Sequence, residues 1–245
     1  KTEVTLYNRN EETRERGVNP ENLTLEADDP RSPWILVPPK VISGMRTMAA
    51  GIDRAGDRFV PTSGVKTSAN EVFFVDNIEP TEDPDEVLVE TEDDVVTRTE
   101  EHVLHPLIRG KNIDEWSFDY SSFIMWLYDD NSEVLTSLPH RVADHVETYK
   151  ERLESRGDYL ISNQIDDGKP YWVFGNVNKE KTEAKVAWQD IAKTIESAYL
   201  PSKVDVNLDT GVDLGTRHLI PTTKVLFFET GVDEIAKSLA GVLNS

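Results

Sequence analysis

The chain has 245 residues, of which 46 are acidic and 26 basic, giving a formal charge of −20. That length is enough for one large domain or two small ones with a buried core. The charge excludes a broadly basic nucleic-acid coat protein or a polybasic membrane binder, and the absence of cysteine excludes disulfides, thiolate metal sites and cysteine nucleophiles.

In chain order, residues 1–100 read as short strands and loops. Candidate strands are Trp34–Val37, Arg58–Val60, Glu71–Asp76, Glu86–Glu90 and Val95–Thr99, each rich in β-branched or aromatic residues between Gly, Pro, Asn and Asp breakers. Phe123 to Tyr128 is a further strand, closed by Asp129-Asp130-Asn131. A helix is expected from about Leu138 to Arg156. Ser137 would cap it, Pro139 would suit its first turn, and Val142, Val146, Tyr149 and Leu153 would share one face. Asp166-Asp167-Gly168 reads as a turn before an apolar Tyr171–Phe174. Lys185 to Ser197 is ambiguous, because Val186 and Trp188 alternate as in a strand while Ile191 and Ile195 repeat as in a helix. A last helix follows Thr230, with Val232, Ile235, Leu239 and Val242 as its stripe. The fold class is therefore α+β, a β-rich domain with a few helices packed on mixed sheets. No apolar run approaches the roughly 20 residues that cross a bilayer. Lys1-Thr2-Glu3 lacks an initiator methionine, and the chain stops directly after a helical pattern, so both ends read as cut points in a longer protein.

The acids are dispersed. Even the densest run, Glu79 to Glu101, with eleven acids and one base, is punctuated by Val87-Leu88-Val89 and Val95-Val96. A scattered, hydrated carboxylate shell is the composition of a halophilic protein. At 1 M salt the Debye length is about 3 Å, so self-repulsion is screened and net charge does not forbid a polyanionic ligand.

The five histidines show no metal-ligand spacing, Asp205, Asp209 and Asp213 do not follow a calcium loop, and no nucleophile elbow, P-loop or dinucleotide fingerprint occurs. Two segments stand out. In Gly64-Val65-Lys66-Thr67-Ser68-Ala69-Asn70-Glu71-Val72-Phe73, a glycine-led turn full of small donors feeds a strand. Its amides, hydroxyls and lysine suit a phosphate backbone, and Asn70 suits a bidentate contact. The same residues also suit a β-turn that satisfies its own backbone. In Leu107-Ile108-Arg109-Gly110-Lys111-Asn112-Ile113, two cations flank a glycine close to Trp116. That arrangement suits phosphates, or a turn tied by local salt bridges.

Together these segments resemble the TaqI-like C-terminal specificity (target-recognition) domain of adenine-N6-specific DNA methyltransferases of restriction-modification systems. The resemblance extends to Tyr149-Lys150-Glu151-Arg152-Leu153-Glu154-Ser155-Arg156 and to the closing Ala240-Gly241-Val242-Leu243-Asn244-Ser245, and covers residues 58–245 in order. Residues 1–57 match poorly and are expected to be a joint or insertion. The resemblance implies a cytoplasmic protein whose catalytic half lies outside this chain and binds S-adenosylmethionine. That half carries an Asn/Asp-Pro-Pro-aromatic motif. Here Asn19-Pro20-Glu21 and Val37-Pro38-Pro39-Lys40 do not complete it, so the fragment itself is not expected to be an enzyme or to hold a cofactor or metal.

The implied partners are double-stranded DNA and the catalytic domain of the same protein, with no membrane. Lys66, Arg109 and Lys111 are expected at phosphates, Thr67, Ser68 and Asn70 near the backbone or a base edge, and Gly110, Arg217 and His218 as further DNA-binding residues. A basic or neutral strip should then interrupt the acidic shell around Gly64–Asn70 and Arg109–Lys111. Two other classes compete. A subunit-docking module of a multisubunit defence complex would show a contiguous apolar patch, and a magnesium-dependent nuclease would show converging carboxylates.

Overall fold

The computed structural model describes residues 2–7, 13–18, 59–178, 181–192 and 194–244. The chain divides into two units, Lys1–Arg58 and Phe59–Ser245. In the first, strands β1 (Thr2–Tyr7) and β2 (Thr13–Val18) pair antiparallel from Thr2 opposite Val18 to Tyr7 opposite Thr13. The expected strand Trp34–Val37 lies outside the described residues.

The second unit is a mixed α+β fold built on two larger sheets, with two further two-stranded sheets beside them. Its strands begin with β3 (Thr62–Ser63), β4 (Phe74–Pro80), β5 (Glu86–Thr91), β6 (Val96–Glu100) and β7 (Leu104–Ile108). Short β8 (Ile113–Asp114) and β9 (Ser117–Phe118) form a hairpin, and β10 (Ser122–Met125) follows. After the helical segment come β11 (Lys185–Gln189), β12 (Ser197–Leu200), β13 (Lys203–Asn207), β14 (Asp213–His218), β15 (Ile220–Pro221) and β16 (Val225–Glu229). One sheet has the order β15-β7-β10-β4-β5-β6 and is antiparallel except where β15 runs parallel to β7. The other has the order β12-β11-β16-β3 and is antiparallel throughout. The first sheet buries Phe74, Val75, Val87, Val89, Leu104, Leu107, Phe123 and Ile124 against helices and loops. Ile108, Ile113, Ala187, Leu200, Val225 and Phe227 form a smaller core on the second.

Helix α1 (Asn70–Phe73) is one turn long and feeds directly into β4, so the expected strand Glu71–Asp76 is helix for half its length. Phe59 and Val60 form no strand. The ladder starts two residues later, at Thr62, where Phe227 and Leu226 supply the partners. The strands expected at Glu86–Glu90 and Val95–Thr99 are β5 and β6, displaced by a residue at their ends.

The expected helix Leu138–Arg156 is two helices, α2 (His140–Thr148) and α3 (Lys150–Glu154), separated at Tyr149. Val142, Val146 and Leu153 are buried as their spacing requires, each burial contributing about 1.5–3 kcal/mol. Ser137 is not the cap. Pro139 occupies that position, and the Glu100 carboxylate, at the end of β6, accepts from the Arg141 and Val142 amides at 2.8 and 3.1 Å. An anion at a helix N-terminus satisfies orphan donors and opposes the dipole. Helix α4 (Tyr159–Asp166) follows, with Asp158 accepting from the Leu160 amide, and Gly168 at φ +87° turns the chain out of it. Tyr171–Phe174 is a turn-rich connection. In Lys185–Ser197 the alternating pattern prevails. Val186 and Ala187 are buried in β11, while Ile191 and Ile195 lie exposed in the loop beyond it.

The last helix, α5 (Asp233–Leu243), turns a different face to its sheet than expected. Ala236 and Ala240 are buried and Leu239 and Leu243 are partly covered, whereas Val232, Ile235 and Val242 are exposed. Residues 236, 239, 240 and 243 form a proper helical stripe, but small alanines were needed for close approach to β11 and β12. Among the described residues no helix is long and apolar enough to cross a membrane.

Candidate nucleic-acid interface

Two glycines bring the singled-out segments together. Gly64 donates its amide to the Val225 carbonyl, Val65 donates to Pro221, and a Cβ at 64 would fall 2.1 Å from the Pro221 oxygen, so only glycine passes there. Gly110 opens a 3₁₀ turn, Gly110–Asn112, and a Cβ on it would lie 2.8 Å from the Lys224 oxygen. Both segments therefore abut the same turn, Thr222–Lys224, which is closed by the Val225 amide on the Thr222 carbonyl and tied to β7 by the Thr222 amide on Ile108.

A cavity of about 660 Å³ opens where they meet. One wall is Val65, Lys66, Thr67, Ser68 and Asn70, with Phe74 also lining the cavity. The second is Arg109, Gly110 and Lys111, and the third is Thr222, Thr223 and Lys224 with Gln189 and Ile191. Among the described residues four cations line it and no carboxylate does, in a chain with 46 acids. Of the residues expected at a ligand, Lys66, Thr67, Ser68, Asn70, Arg109, Gly110 and Lys111 share this cavity, and Arg217 and His218 do not line it.

The four cations differ in how they are held. Lys66 pairs with Asp158, the cap of α4, and remains about half exposed. Arg109 is more shielded. Its Nη1 lies 2.6 Å from Glu92 Oε1, its Nη2 3.6 Å from Asp76 Oδ1, and its guanidinium covers the Phe74 ring with Cζ 5.2 Å from the centroid. Arg109 Nε and Nη2 are nonetheless buried without a hydrogen-bond partner among the described residues. Lys111 and Lys224 are exposed and have no ion-pair partner among the described residues.

The Lys66–Asn70 loop is clamped from behind. Buried Arg156 donates through Nη1 to the Thr67 carbonyl at 2.6 Å, through Nη2 to Tyr171 and through Nε to Leu153. Arg152 reaches the Ser68 carbonyl and pairs with Glu71 at 3.0 Å. Burial lowers the Arg156 guanidinium to about 10, leaving it charged at neutral pH. With the carbonyls held from behind, the loop is fixed in a shape that includes Ser68 in the left-handed region at φ +52°. The backbone also exchanges both hydrogen bonds between Lys66 and Gly175. Inside the loop the Thr67 hydroxyl donates to Asn70 Oδ1 at 2.6 Å and accepts from the Ala69 amide. The turn is thus partly self-satisfied, but Asn70 Nδ2, on an exposed side chain, is left over as a donor. Gln189 complements it: Nε2 is committed to the Ile113 carbonyl, while Oε1 accepts from no described residue.

Arg217 and His218 end β14. Arg217 lies 3.7 Å from Glu101, and His218 Nδ1 contacts the Ser202 and Thr182 carbonyls, which places its proton on Nδ1. His218 stacks on His105 with centroids 6.0 Å apart and planes 7° apart. Burial, with His218 and Arg217 alongside, lowers His105 to about 3, so it stays neutral.

Sequence reasoning missed the third wall. Thr222, Thr223 and Lys224 carry no motif and lie more than a hundred residues from both other segments, so only the glycine contacts reveal them. It also missed the buried pair Lys181 and Lys185, both against the Phe227 ring. Lys181 Nζ donates to Thr62 at 3.1 Å, and Lys185 Nζ donates to the carbonyls of Lys181 and Glu183. Burial first, then Lys181, lowers Lys185 to about 7.

No protein-family model matches the chain, and no curated protein matches it.

Proposed function

We propose that residues 58–245 form a DNA-binding specificity domain of an adenine-N6-specific DNA methyltransferase, a β-rich target-recognition domain that positions duplex DNA for a catalytic domain outside this chain. The observation that carries this reading is the acid-free, four-cation cavity uniting the segments that resemble that family. A methyltransferase must extrude its adenine at a cost of a few kcal/mol, and grips on the flanking duplex offset it. In concentrated salt, cations act only at contact range, so a cation-lined cavity with neutral donors and acceptors suits this ligand despite the acidic exterior. The cavity does not suit S-adenosylmethionine. It is cationic, as the sulfonium is, and no carboxylate lines it to hold the ribose hydroxyls. In this reading methyl transfer is assigned to the catalytic domain outside this chain.

The test is binding of the full chain to a short fluorescein-labelled duplex across a salt series. Saturable binding that weakens with salt supports the reading, and its absence at every salt concentration refutes it. A docking module of a defence complex is the second reading, favoured by the exposed Val232, Ile235 and Val242 on α5. It predicts no duplex binding and association with another subunit through that helix.

A further inference from the structure

The four cations of the cavity are not equivalent. Lys66 and Arg109 already face carboxylates, whereas Lys111 and Lys224 pair with none among the described residues, and Gly110, the neighbour of Lys111, packs against the Lys224 carbonyl. Thr222, next but one to Lys224 in the chain, lines the same cavity. The residue is only 7% exposed, and its hydroxyl has no hydrogen-bond partner among the described residues. Leaving a buried hydroxyl unpaired is costly, so the folded protein carries a destabilising group on the wall of its cation-lined cavity. The side-chain nitrogens of Arg109 that lack partners belong to the same wall region.

Resting on the DNA reading above, we infer that Lys111 and Lys224 grip one phosphodiester of the duplex, with Thr222 completing its hydrogen bonds, while Lys66 and Arg109 hold the walls in place. A phosphodiester supplies what this group lacks: a negative charge for two unpaired ammoniums and acceptor oxygens for a hydroxyl and a guanidinium. Asn70 Nδ2 and Gln189 Oε1, a spare donor and a spare acceptor among the lining residues, are left for the adjacent base edge.

The experiment uses the full chain and a short fluorescein-labelled duplex of mixed sequence, with affinity measured against salt concentration. The double variant Lys111→Ala/Lys224→Ala is expected to reduce the slope of log affinity against log salt by about 0.9, the value for one phosphate, and each single variant by part of that, whereas a loss of about twice 0.9 would mean two separate phosphates and overturn the paired grip. Lys169→Ala, whose ammonium pairs with Glu133 outside the cavity, should keep the wild-type slope. Thr222→Val removes the unpaired hydroxyl at constant shape. It should raise the melting temperature while weakening binding several-fold, a pairing that a merely structural threonine would not give. Wild-type slopes in both lysine variants, or a change in only one of them, overturn the paired grip and leave the DNA reading standing. A wild-type chain that binds no duplex overturns both.

Discussion

Gly110 and Lys224 approach so closely that a Cβ on the glycine would lie 2.8 Å from the lysine carbonyl oxygen, with the Lys224 Cβ at 3.6 Å. The neighbour is backbone and cannot swing aside. Gly110→Ala should therefore push the 3₁₀ turn off the Thr222–Lys224 turn, destabilising the domain by about 1–3 kcal/mol, the usual cost of overpacking. Duplex affinity should fall with it. Urea unfolding and anisotropy on the same samples check both, and unchanged values in each would mean that the two walls are not locked through this contact.

Arg156 gives the cavity its second constraint. Replacing it with alanine removes the donor to the Thr67, Tyr171 and Leu153 carbonyls, each costing about 1–3 kcal/mol where the carbonyl stays buried and unpaired. The expected outcome is a large drop in melting temperature. Arg156→Lys, which keeps the charge but not the fork, should recover only part of it. Full recovery by lysine would show that charge, not geometry, holds the loop.

Glu100 should prove to be the N-terminal cap of α2. Glu100→Ala leaves the Arg141 and Val142 amides without their carboxylate and should cost about 0.5–2 kcal/mol by equilibrium unfolding. Ser137→Ala should cost less, because Ser137 does not cap that helix. The reverse order would contradict the assignment.

Lys185 sets a pH window. Its ordinary value of 10.5 is lowered to about 7 by burial and by Lys181, with Glu183 and Glu229 acting in the opposite sense. Between those values the unfolded chain holds the proton and the folded chain does not, so stability rises with pH across the window, by up to about 1.4 kcal/mol per unit. Below about 7 both states are protonated, the penalty is complete and the slope disappears. Denaturant titrations at several pH values between 7.5 and 9.5 should show the slope in the wild type and a flat line in Lys185→Met. The same slope in both proteins would refute the assignment.

What the amino-acid sequence shows of this fold depends on the range of the forces involved. Strands β5 and β6 were readable because Val87, Val89 and Val96 sit between local breakers, and Val142, Val146 and Leu153 gave α2 and α3 their buried face. Helix α4 was missed although Asp158 and Gly168 bracket it. Tyr159 and Leu160 are exposed and only Ile161 is buried, so no stripe exists to be seen. In α5 the large residues drew attention to the exposed face, while the alanines that pack were silent. For the site, local chemistry pointed to Lys66–Asn70 and Arg109–Lys111, but their meeting on Thr222–Lys224 depends on glycine approaches between distant residues. Arg217 and His218 show the converse, a basic pair in sequence that the fold ties to Glu101, Ser202 and His105 away from the cavity.

The most direct test of a duplex-binding cavity is lysine acetylation of the full chain, mapped by mass spectrometry with and without a short DNA duplex. Protection of Lys111 and Lys224, with Lys169, Lys203 and Lys237 reacting as in the free protein, is the predicted result. Equal reactivity of all five lysines in the presence of saturating duplex, or protection confined to the last three, would contradict it.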